Sequence, residues 1–438
     1  MKDNEAMQES GVEWIGAIPQ GWKVKIIKRE FDIKLGKMLQ PLQKTELDTE
    51  EYYLKTSNIY WEGVDVTNIN KMWFSSLDKQ NTELQYNDLL VCEGGDVGRS
   101  ALWKEEITPC YIQNAINRVR PIHHCSTKYL YYWLFLMKHS GYIDAMVTRI
   151  TIAHLTAEKL ERLVFLLPPH FEQQAIAHYL DQQCGKLDAI IAIKQQQIKA
   201  LDALRQSIIY HAVTKGLNDS APLVDSGVEW LGKIPQSWRV SKLKYITNQI
   251  VDGTHFTPNY VESGVPFLRV TDIQTQAINL ERIKFITEEE HTELTKRAKP
   301  QKGDVLLSKN GTIGITKVVD WDWEFSIFVS LCLIKFLPNI NPYYFSYFFE
   351  SDVVNQQLFE SSKKTSVTNL HLVKIRELLL CVPPFPEQQR IIDHLDQETQ
   401  LLAALKANLN QQISTLEDYK KSLIYECMTG KKRIKADA

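Results

Sequence analysis

The sequence predicts two tandem α/β (α+β) domains separated by two long helices that form an antiparallel coiled coil, with a pseudo-two-fold internal repeat. Two repeated segments support this. SGVEWIGAIPQGWKVKIIK at residues 10–28 recurs as SGVEWLGKIPQSWRVSKLK at residues 226–244, with twelve of nineteen positions identical. PPHFEQQ at residues 168–174 recurs as PPFPEQQ at residues 383–389. Because both markers keep nearly the same spacing, the chain is two copies of one domain-sized unit.

The composition is that of a folded protein with two or three domains. The chain has 438 residues, of which 44% are apolar and 10% aromatic, so it can bury substantial cores and is not disordered. Its 51 basic and 53 acidic residues leave a formal charge of −2. A near-neutral protein does not coat polyanions indiscriminately, so we expect any nucleic-acid binding to be confined to particular faces.

Nothing in the sequence predicts a membrane or secreted protein. The densest apolar run, residues 129–137, is flanked by Lys128 and Lys138 and is far shorter than the roughly 20 residues of a membrane span. The first ten residues lack the apolar core of a signal peptide. The seven cysteines are scattered singly without a C-x-x-C pair. We therefore expect a cytoplasmic protein without structural zinc.

Each unit is predicted to change from a mixed domain to one long helix. Residues 22–167 combine short β-rich runs with turn residues, which is typical of a compact α/β domain. Residues 171–213 contain no proline and a single glycine, Gly185, which favours one continuous helix. Pro168 and Pro169 keep the preceding chain extended. The domains are thus predicted as residues 1–22 (shared N-terminal segment), 23–167 (first α/β domain), 168–238 (central region with a spacer helix), 239–382 (second α/β domain) and 383–438 (C-terminal region with a spacer helix).

A heptad repeat predicts that the two helices pair with each other. In the second helix the repeat consists of Leu395, Leu402, Leu409, Leu416 and Leu423, with Ile391, Leu405 and Tyr419 added to the same seam. The equivalent stripe of the first helix consists of Leu180, Leu187, Lys194, Leu201 and Ile208. An antiparallel pair would place the two α/β domains at its opposite ends. Two amphipathic helices that each pack on their own domain are the alternative.

Catalytic motifs are missing from the sequence. NPYY at residues 341–344 resembles the Asn-Pro-Pro-Tyr/Phe loop of adenine methyltransferases but lacks the second proline. A helix start before an aromatic core face explains it better. EGGDVG at residues 93–98 matches neither a Walker motif nor a Rossmann fingerprint, and no HExxH, GxSxG or paired-carboxylate signature appears. His123, His124 and Cys125 are adjacent, so they cannot easily close a tetrahedral metal site. We expect no catalytic and no metal-ligating residues.

The glycines that the two copies share predict a tight turn that leads into another strand. They are Gly95 with Gly311 and Gly98 with Gly314, each after a β-rich run.

Polar and aromatic side chains in the predicted loops are candidates for reading DNA. Asn and Arg can make two hydrogen bonds to adenine and guanine edges, respectively. The candidates of the first copy are Lys55, Ser57, Asn58, Tyr60, Trp61, Glu93, Gly95, Asp96, Arg99, Asn114 and Arg118. Those of the second copy are Thr254, His255, Thr257, Arg269, Thr271, Asp272, Ser308, Lys309, Asn310 and Thr312. For any one of them, an ordinary solvated loop position is the alternative.

Over essentially its whole length, the chain resembles the specificity subunit of type I restriction-modification systems. The resemblance is carried by the SGVEWIG-IP-W segments, the PP-x-x-EQQ segments and the GD-LL-x-x-x-G-x-x-G turn at residues 303–314. The first copy has Asn87 where Gly303 stands, which leaves the turn intact. The resemblance implies two target recognition domains that each read half of a bipartite site in double-stranded DNA, with the helices as a ruler between them.

The same resemblance implies partners that carry the chemistry. These are two methyltransferase subunits and two restriction subunits, which are ATP-dependent translocases and endonucleases. S-adenosylmethionine, ATP and Mg²⁺ are expected on those partners only, so the chain is expected to be non-catalytic and free of cofactors. Two alternatives are a stand-alone DNA methyltransferase or nuclease with a duplicated recognition region, and a pseudo-dimeric transcriptional regulator. Methyl transfer by the chain alone would indicate the first, and tight site-specific binding without partners the second.

Overall fold

The chain forms two compact units that each have their own core. The first comprises Met1–Lys194 and Gln411–Ala438, and the second comprises Gln195–Asn410. The computed structural model describes residues 6–147, 154–274, 278–311, 313–351, 353, 354, 357 and 370–434. Thr312, one of the candidate DNA-reading residues, lies outside the described residues.

Short strands and helices alternate along the first unit. Its strands are β1 Met7–Glu9, β2 Ala17–Pro19, β3 Lys23–Ile26, β4 Phe31–Leu35, β5 Thr49–Leu54, β6 Ile59–Tyr60, β7 Gly63–Val64, β8 Asn70–Phe74, β9 Leu89–Cys92, β10 Ser100–Leu102, β11 Tyr111–Ile112, β12 Ile116–Pro121 and β13 Val164–Leu167. Its short helices are α1 Ser76–Thr82, α2 Thr127–His139, α3 Tyr142–Val147 and α4 Ala157–Arg162.

The centre of the first unit is an antiparallel sheet with the strand order β10-β9-β12-β4. Val119 of β12 pairs with Ile33 of β4 on one side and with Leu89 of β9 on the other. All four residues of β9 are apolar and buried, as expected for a strand covered on both faces. A smaller sheet with the order β11-β5-β8 lies in the same unit, and β13 pairs with β3.

The second unit repeats this topology, which confirms the internal repeat. Its central sheet has the order β17-β23-β20-β21 and its smaller sheet the order β19-β18-β22, while β24 pairs with β16. The strands are β14 Leu223–Asp225, β15 Lys233–Pro235, β16 Arg239–Lys242, β17 Thr247–Asp252, β18 Val265–Leu268, β19 Lys284–Ile286, β20 Val305–Ser308, β21 Thr316–Val318, β22 Ser326–Ile327, β23 Leu331–Phe336 and β24 Leu379–Val382.

An aromatic helix packs in the core of each unit. In the first unit this is α2, which buries Tyr129 and Trp133. In the second it is α7 Pro342–Glu350; α6 Glu288–Thr295 precedes it and α8 Leu372–Glu377 follows it. The side-chain oxygen of Asn341 accepts a hydrogen bond from the amide of Tyr343 at 3.0 Å. NPYY is therefore a capped helix start ahead of buried aromatic residues, as the sequence predicts.

Both long helices are present, as α5 His170–Lys215 and α9 Phe385–Met428. Each begins directly after a strand and a proline pair. The EQQ segment explains how the start is fixed, because its first glutamine is buried and bonded on both sides. Gln173 accepts a hydrogen bond from the amide of Ser126 and donates one to the carbonyl of Pro168. Gln388 makes the equivalent bonds to Asn341 and Pro383 in the second unit.

Within each unit the two helices pair in antiparallel fashion. In the first unit Lys420 bonds Asp188 at 2.7 Å, and Lys194 bonds Gln412. In the second, Lys406 bonds Asp202 at 2.7 Å. Of the predicted seam, Leu180, Leu187, Leu395, Leu402 and Leu423 are buried, as is Ile391. Half-buried members are Lys194, Leu201, Ile208, Leu409 and Leu416.

The prediction that Leu405 and Tyr419 belong to this seam is wrong, because both side chains are exposed. The seam instead includes residues four positions after members of the predicted stripes. Together with the stripes they give the alternating spacing of four and three that is typical of a coiled coil. The additional non-exposed positions are Cys184, Ile191, Ile198, Arg205, Lys406, Ile413 and Lys420. Within the described residues, no helix combines the length and apolarity that crossing a membrane requires.

The shared SGVEW segment of each unit meets the end of a long helix. In the first unit the indole nitrogen of Trp22 donates to the Glu172 carboxylate at 2.9 Å. A Cβ on Gly430, just after α9, would lie 2.4 Å from Pro19. In the second unit Gly216, just after α5, lies beside Trp238 in the same way. Each core therefore includes the start of one long helix and the end of the other.

Candidate nucleic-acid interface

In the first unit, several backbone segments meet at one end of the central sheet. The amide of Lys37, just after β4, donates to the carbonyl of Ile112 at 3.0 Å. The amide of Asn114 donates back to the carbonyl of Lys37 at 2.8 Å. A Cβ at Gly36 would lie 2.4 Å from the carbonyl oxygen of Gln113. Only glycine permits this approach of the two backbones.

Two loops join the same place. One is the turn after β9, in which the amide of Glu93 donates to the carbonyl of Ala115 at 2.8 Å. The other is the 3₁₀ turn Thr56–Asn58. Its Thr56 carbonyl accepts a hydrogen bond from the Arg99 guanidinium at 2.9 Å. The four segments are thus tied by backbone hydrogen bonds and by one arginine, and they form a rigid base for their side chains.

The second unit builds the same framework. The amide of Thr254 donates to the carbonyl of Ile327 at 3.1 Å, and that of Lys309 donates to the carbonyl of Ser330 at 2.9 Å. A Cβ at Gly253 would lie 2.1 Å from the Ile327 carbonyl oxygen. The two amide bonds repeat those of Lys37 and Glu93, and Gly253 repeats the close approach of Gly36 to the facing backbone.

The side chains on the shared framework differ between the copies. Lys37 of the first unit corresponds to Thr254 of the second. Glu93 corresponds to Lys309, so the charge at that position is inverted. The same backbone therefore carries different side chains in the two units, although Glu93, Thr254 and Lys309 are themselves buried.

The turn after β9 and its counterpart after β20 confirm the predicted turn into a following strand, because they connect to β10 and β21. Just before β9 and β20, in a different turn, the backbone φ angle is 66° at Asn87 and 88° at Gly303, so both residues occupy the left-handed region. Asn tolerates this region better than most side chains do, which explains why it can replace glycine here. Left-handed angles recur at Gly95 with Gly311 and at Gly98 with Gly314.

Arg99 is half-buried in the first site, beside the exposed ring of Tyr60. Its guanidinium lies 5.4 Å from the ring centre of the exposed Tyr60 and 3.7 Å from the Asp96 carboxylate. Burial raises the pKa of the neighbouring Cys92 thiol to about 11, with the Arg99 charge acting in the opposite direction. An arginine fixed beside an exposed aromatic ring is suited to donate to a base edge.

Two candidates of the first unit are buried and bonded within the protein. Asn58 accepts from the amide of Lys55 and donates to the carbonyl of Asp65, both at 2.9 Å. Arg118 bonds Asp32 at 2.8 Å, and burial, together with the nearby charge of Arg120, lowers its pKa. These contacts give both residues a structural role, and their contact with DNA stays a prediction.

The remaining candidates of the first unit divide by exposure. Ser57, Gly95, Asp96 and Asn114 are exposed. The ammonium of Lys55 bonds Asn70 at 2.8 Å, and Trp61 packs edge-on against Phe135. Glu93 is buried, and one of its carboxylate oxygens has no partner among the described residues.

In the second unit, Lys309 belongs to a charge cluster around Asp252. Both side chains are buried, with exposed fractions of 6% and 5%, and bond at 2.8 Å. His255 lies 3.1 Å and Arg297 2.5 Å from the same carboxylate. Burial acts to raise the pKa of Asp252, but the hydrogen bond and charge of Lys309, with His255 and Arg297, outweigh it and hold the pKa below its usual value. A cleft of about 250 Å³ adjoins this cluster.

The other candidates of the second unit are also placed around this framework. Arg269 bonds the buried carboxylate of Asp272 through Nε at 3.1 Å and Nη2 at 3.2 Å. The buried Ser308 hydroxyl accepts from the amide of Ile315. Asn310 has one buried oxygen without a partner among the described residues. His255, Thr257 and Thr271 are exposed, and Thr254 is buried.

The sequence reasoning missed four residues of these sites. Gly36 and Gly253 set the close approach of the backbones, and Asp252 and Arg297 complete the charge cluster. The two glycines differ in number by 217, slightly more than the offset of the flanking repeats. An alignment of the weaker middle of the repeat, one that allowed this shift, could have found them. Among the described residues, no group of three or more His, Cys, Asp and Glu side chains is arranged to hold a metal ion.

The chain is similar to known specificity subunits. The specificity subunit of the type I restriction enzyme EcoBI from Escherichia coli is 24% identical over 353 residues, which are 78% of this chain and 73% of the relative. The MjaVIII specificity subunit from Methanocaldococcus jannaschii is 24% identical over 432 residues, covering 95% of this chain and 94% of the relative.

Two solved structures share the fold. A chain from a study of complex assembly and conformational transition of the type I R-M system has a TM-score of 0.72 at 15% identity, covering 94% of this chain and 98% of that one. The crystal structure of the HsdS subunit from Thermoanaerobacter tengcongensis has a TM-score of 0.52 at 17% identity, with the same coverage of both chains.

A family model described as the type I restriction modification DNA specificity domain matches residues 19–203 and 235–415. The two matches follow the two copies of the repeat and together cover most of the chain. The chain therefore belongs to the type I restriction-modification DNA specificity family and consists of two tandem domains of that family.

Proposed function

We propose that this chain is the non-catalytic subunit that gives a type I restriction-modification complex its DNA sequence specificity. Each recognition domain reads one half of a bipartite site in double-stranded DNA. The observation that carries this proposal is the framework common to both units, which has equivalent backbone hydrogen bonds but different side chains. Equal backbones position two readers alike, and different side chains let them read different bases.

The paired long helices act as the ruler between the half-sites. Their heptad spacing and the ion pairs of Asp188 with Lys420 and of Asp202 with Lys406 support a stiff pair. A stiff pair can fix a spacing in base pairs because DNA rises about 3.4 Å per base pair.

The chemistry of the complex belongs to partner subunits. We infer two methyltransferase subunits and two ATP-dependent restriction subunits, with S-adenosylmethionine, ATP and Mg²⁺ bound by them. The duplicated SGVEW segments and helix starts support two equivalent docking surfaces for the methyltransferases. This chain contributes recognition and a scaffold.

Methylation mapping tests the proposal. The chain is co-expressed with its methyltransferase, and the modified adenines of the host DNA are sequenced. We expect one bipartite motif with a fixed spacer. A continuous motif, or methylation independent of sequence, would contradict the proposal. The matched control is the chain alone with DNA and labelled methyl donor, for which we expect no transfer. Transfer by the chain alone would instead indicate a stand-alone methyltransferase.

A further inference from the structure

The loop that follows Gly36 and Lys37 exposes its large apolar side chains to solvent. Four large apolar side chains point to solvent: Met38 is 76% exposed, Leu39 54%, Leu42 75% and Leu47 83%. Two polar residues of the same loop are buried instead, Gln40 with 7% and Asp48 with 6% of its surface exposed. Exposing so many apolar groups in ten residues is unfavourable in water, so the surface fits a partner that covers it.

A dense hydrogen-bond network holds the loop in this form. Gln40 accepts from the Lys37 ammonium at 2.8 Å and donates to Asp48 at 2.9 Å. Asp48 also accepts from the amides of Lys44 and Thr45 and from the Thr45 hydroxyl. These bonds, with that of Thr45 first, lower the pKa of Asp48 to about 2 although burial opposes them. The loop is therefore preorganised with its apolar side chains outward.

The second unit presents one large apolar side chain at the equivalent place. Phe256, two residues after Thr254, is 58% exposed. The Thr254 hydroxyl accepts a hydrogen bond from its amide at 3.3 Å, which fixes the loop at its base. The two loops differ in sequence, MLQPLQKTEL against HFTPNY. A protein partner that docks identically on both units would need similar surfaces, whereas a DNA reader needs different ones.

We propose that residues 38–42 form an apolar wedge that contacts and unstacks bases beside the first half-site, and that Phe256 does the same at the second. This deepens the proposed function and rests on it. Met, Leu, Phe and Pro are the side chains that DNA-bending proteins insert between base steps. The wedge directly follows Gly36 and Lys37, whose backbone belongs to the framework. It therefore lies next to the side chains that we propose to read the bases.

Fluorescence of 2-aminopurine tests the wedge. The complex of the full chain with its methyltransferase is mixed, without methyl donor, with duplexes that carry the mapped site and the probe at successive positions. We expect a rise in fluorescence near each half-site in addition to the signal at the methylated adenine, which the partner extrudes. M38S/L42S should abolish the additional rise at the first half-site alone and weaken binding about tenfold. F256S should abolish the additional rise at the second half-site alone and weaken binding to a similar extent.

Two control variants make the test selective. M38L/L42M keeps apolar side chains and should retain the signal. I122S removes another exposed apolar side chain, located just beyond the far end of β12, and should change neither signal nor affinity. Equal fluorescence and affinity of M38S/L42S and the parent would overturn the wedge. So would loss of the methyltransferase from M38S/L42S with unchanged DNA signals, since the loop would then dock protein. A parent complex that does not prefer the mapped duplex over a scrambled one would instead refute the proposed function itself.

Discussion

Replacing Gly36 by alanine should destabilise the first unit and impair reading of its half-site only. The new Cβ would lie 2.4 Å from both the carbonyl carbon and the carbonyl oxygen of Gln113, and 2.7 Å from the carbonyl oxygen of Ile112. Non-bonded heavy atoms prefer roughly 3.5 Å, so the two backbones must separate by about 1 Å.

The magnitude follows from what can move. Overpacking a core costs about 1 to 3 kcal/mol when flexible side chains can yield. At Gly36 the contacts are backbone atoms of a hydrogen-bonded framework, so we expect the upper end, about 3 kcal/mol. G185A is the matched control, because its Cβ would meet nothing within 4 Å and the residue lies within α5. The same substitution there should stabilise by about 0.5 to 1 kcal/mol.

Urea unfolding that is monitored by hydrogen exchange reports the stability of the two units separately. G36A should lower protection in the central sheet of the first unit and leave that of the second at the parent level. Methylation assays should show relaxed or lost selection at the first half-site, and G253A should mirror this at the other half-site. A loss of unfolding free energy below about 0.5 kcal/mol for G36A would refute the reasoning, since changes of that size are typical of unconstrained surface positions.

Three further predictions concern charge, base reading and spacing. D252N should cost the second unit about 3 to 5 kcal/mol because it leaves Lys309 buried without its carboxylate. Since the folded pKa of Asp252 lies below its usual value, this stabilisation is present above about pH 4 and lost as the pH falls further, so acid unfolding of the parent should be steeper than that of D252N. R99A should reduce the discrimination between bases at one position of the first half-site by about 1 to 3 kcal/mol, measured by competition binding. A uniform loss of affinity over both halves would contradict direct reading of a base by Arg99. Adding one heptad to each long helix, within residues 195–200 and 407–411, lengthens the pair by about 10 Å, so mapping should find a spacer about three base pairs longer. An unchanged spacer with full activity would show that the helices are not the ruler.

The sequence alone was sufficient for the architecture. Repeats of SGVEW and PP-x-x-EQQ at a constant spacing require two copies of one domain, because two independent folds would not keep that spacing. Proline-free, Gln- and Leu-rich stretches after each PP-x-x-EQQ segment require helices, since those residues lose little entropy there. The tight turn after β9 and β20 was also predictable, because Gly95 with Gly311 and Gly98 with Gly314 recur in both copies and supply its left-handed angles.

Only the tertiary structure decided which candidate side chains are available at the sites. Asn58, Arg118 and Lys309 look like base readers in a linear sequence, but partners distant along the chain or in another loop bury them. For the same reason, the sequence predicted only part of the helix seam. Lys406 and Lys420 are polar, and they join the seam by pairing with aspartates of the facing helix. The need for glycine at position 36 and the exposure of Met38 and Leu42 depend on which backbone segments approach each other. That information arises only when segments about 75 residues apart are brought together, and no local pattern encodes it.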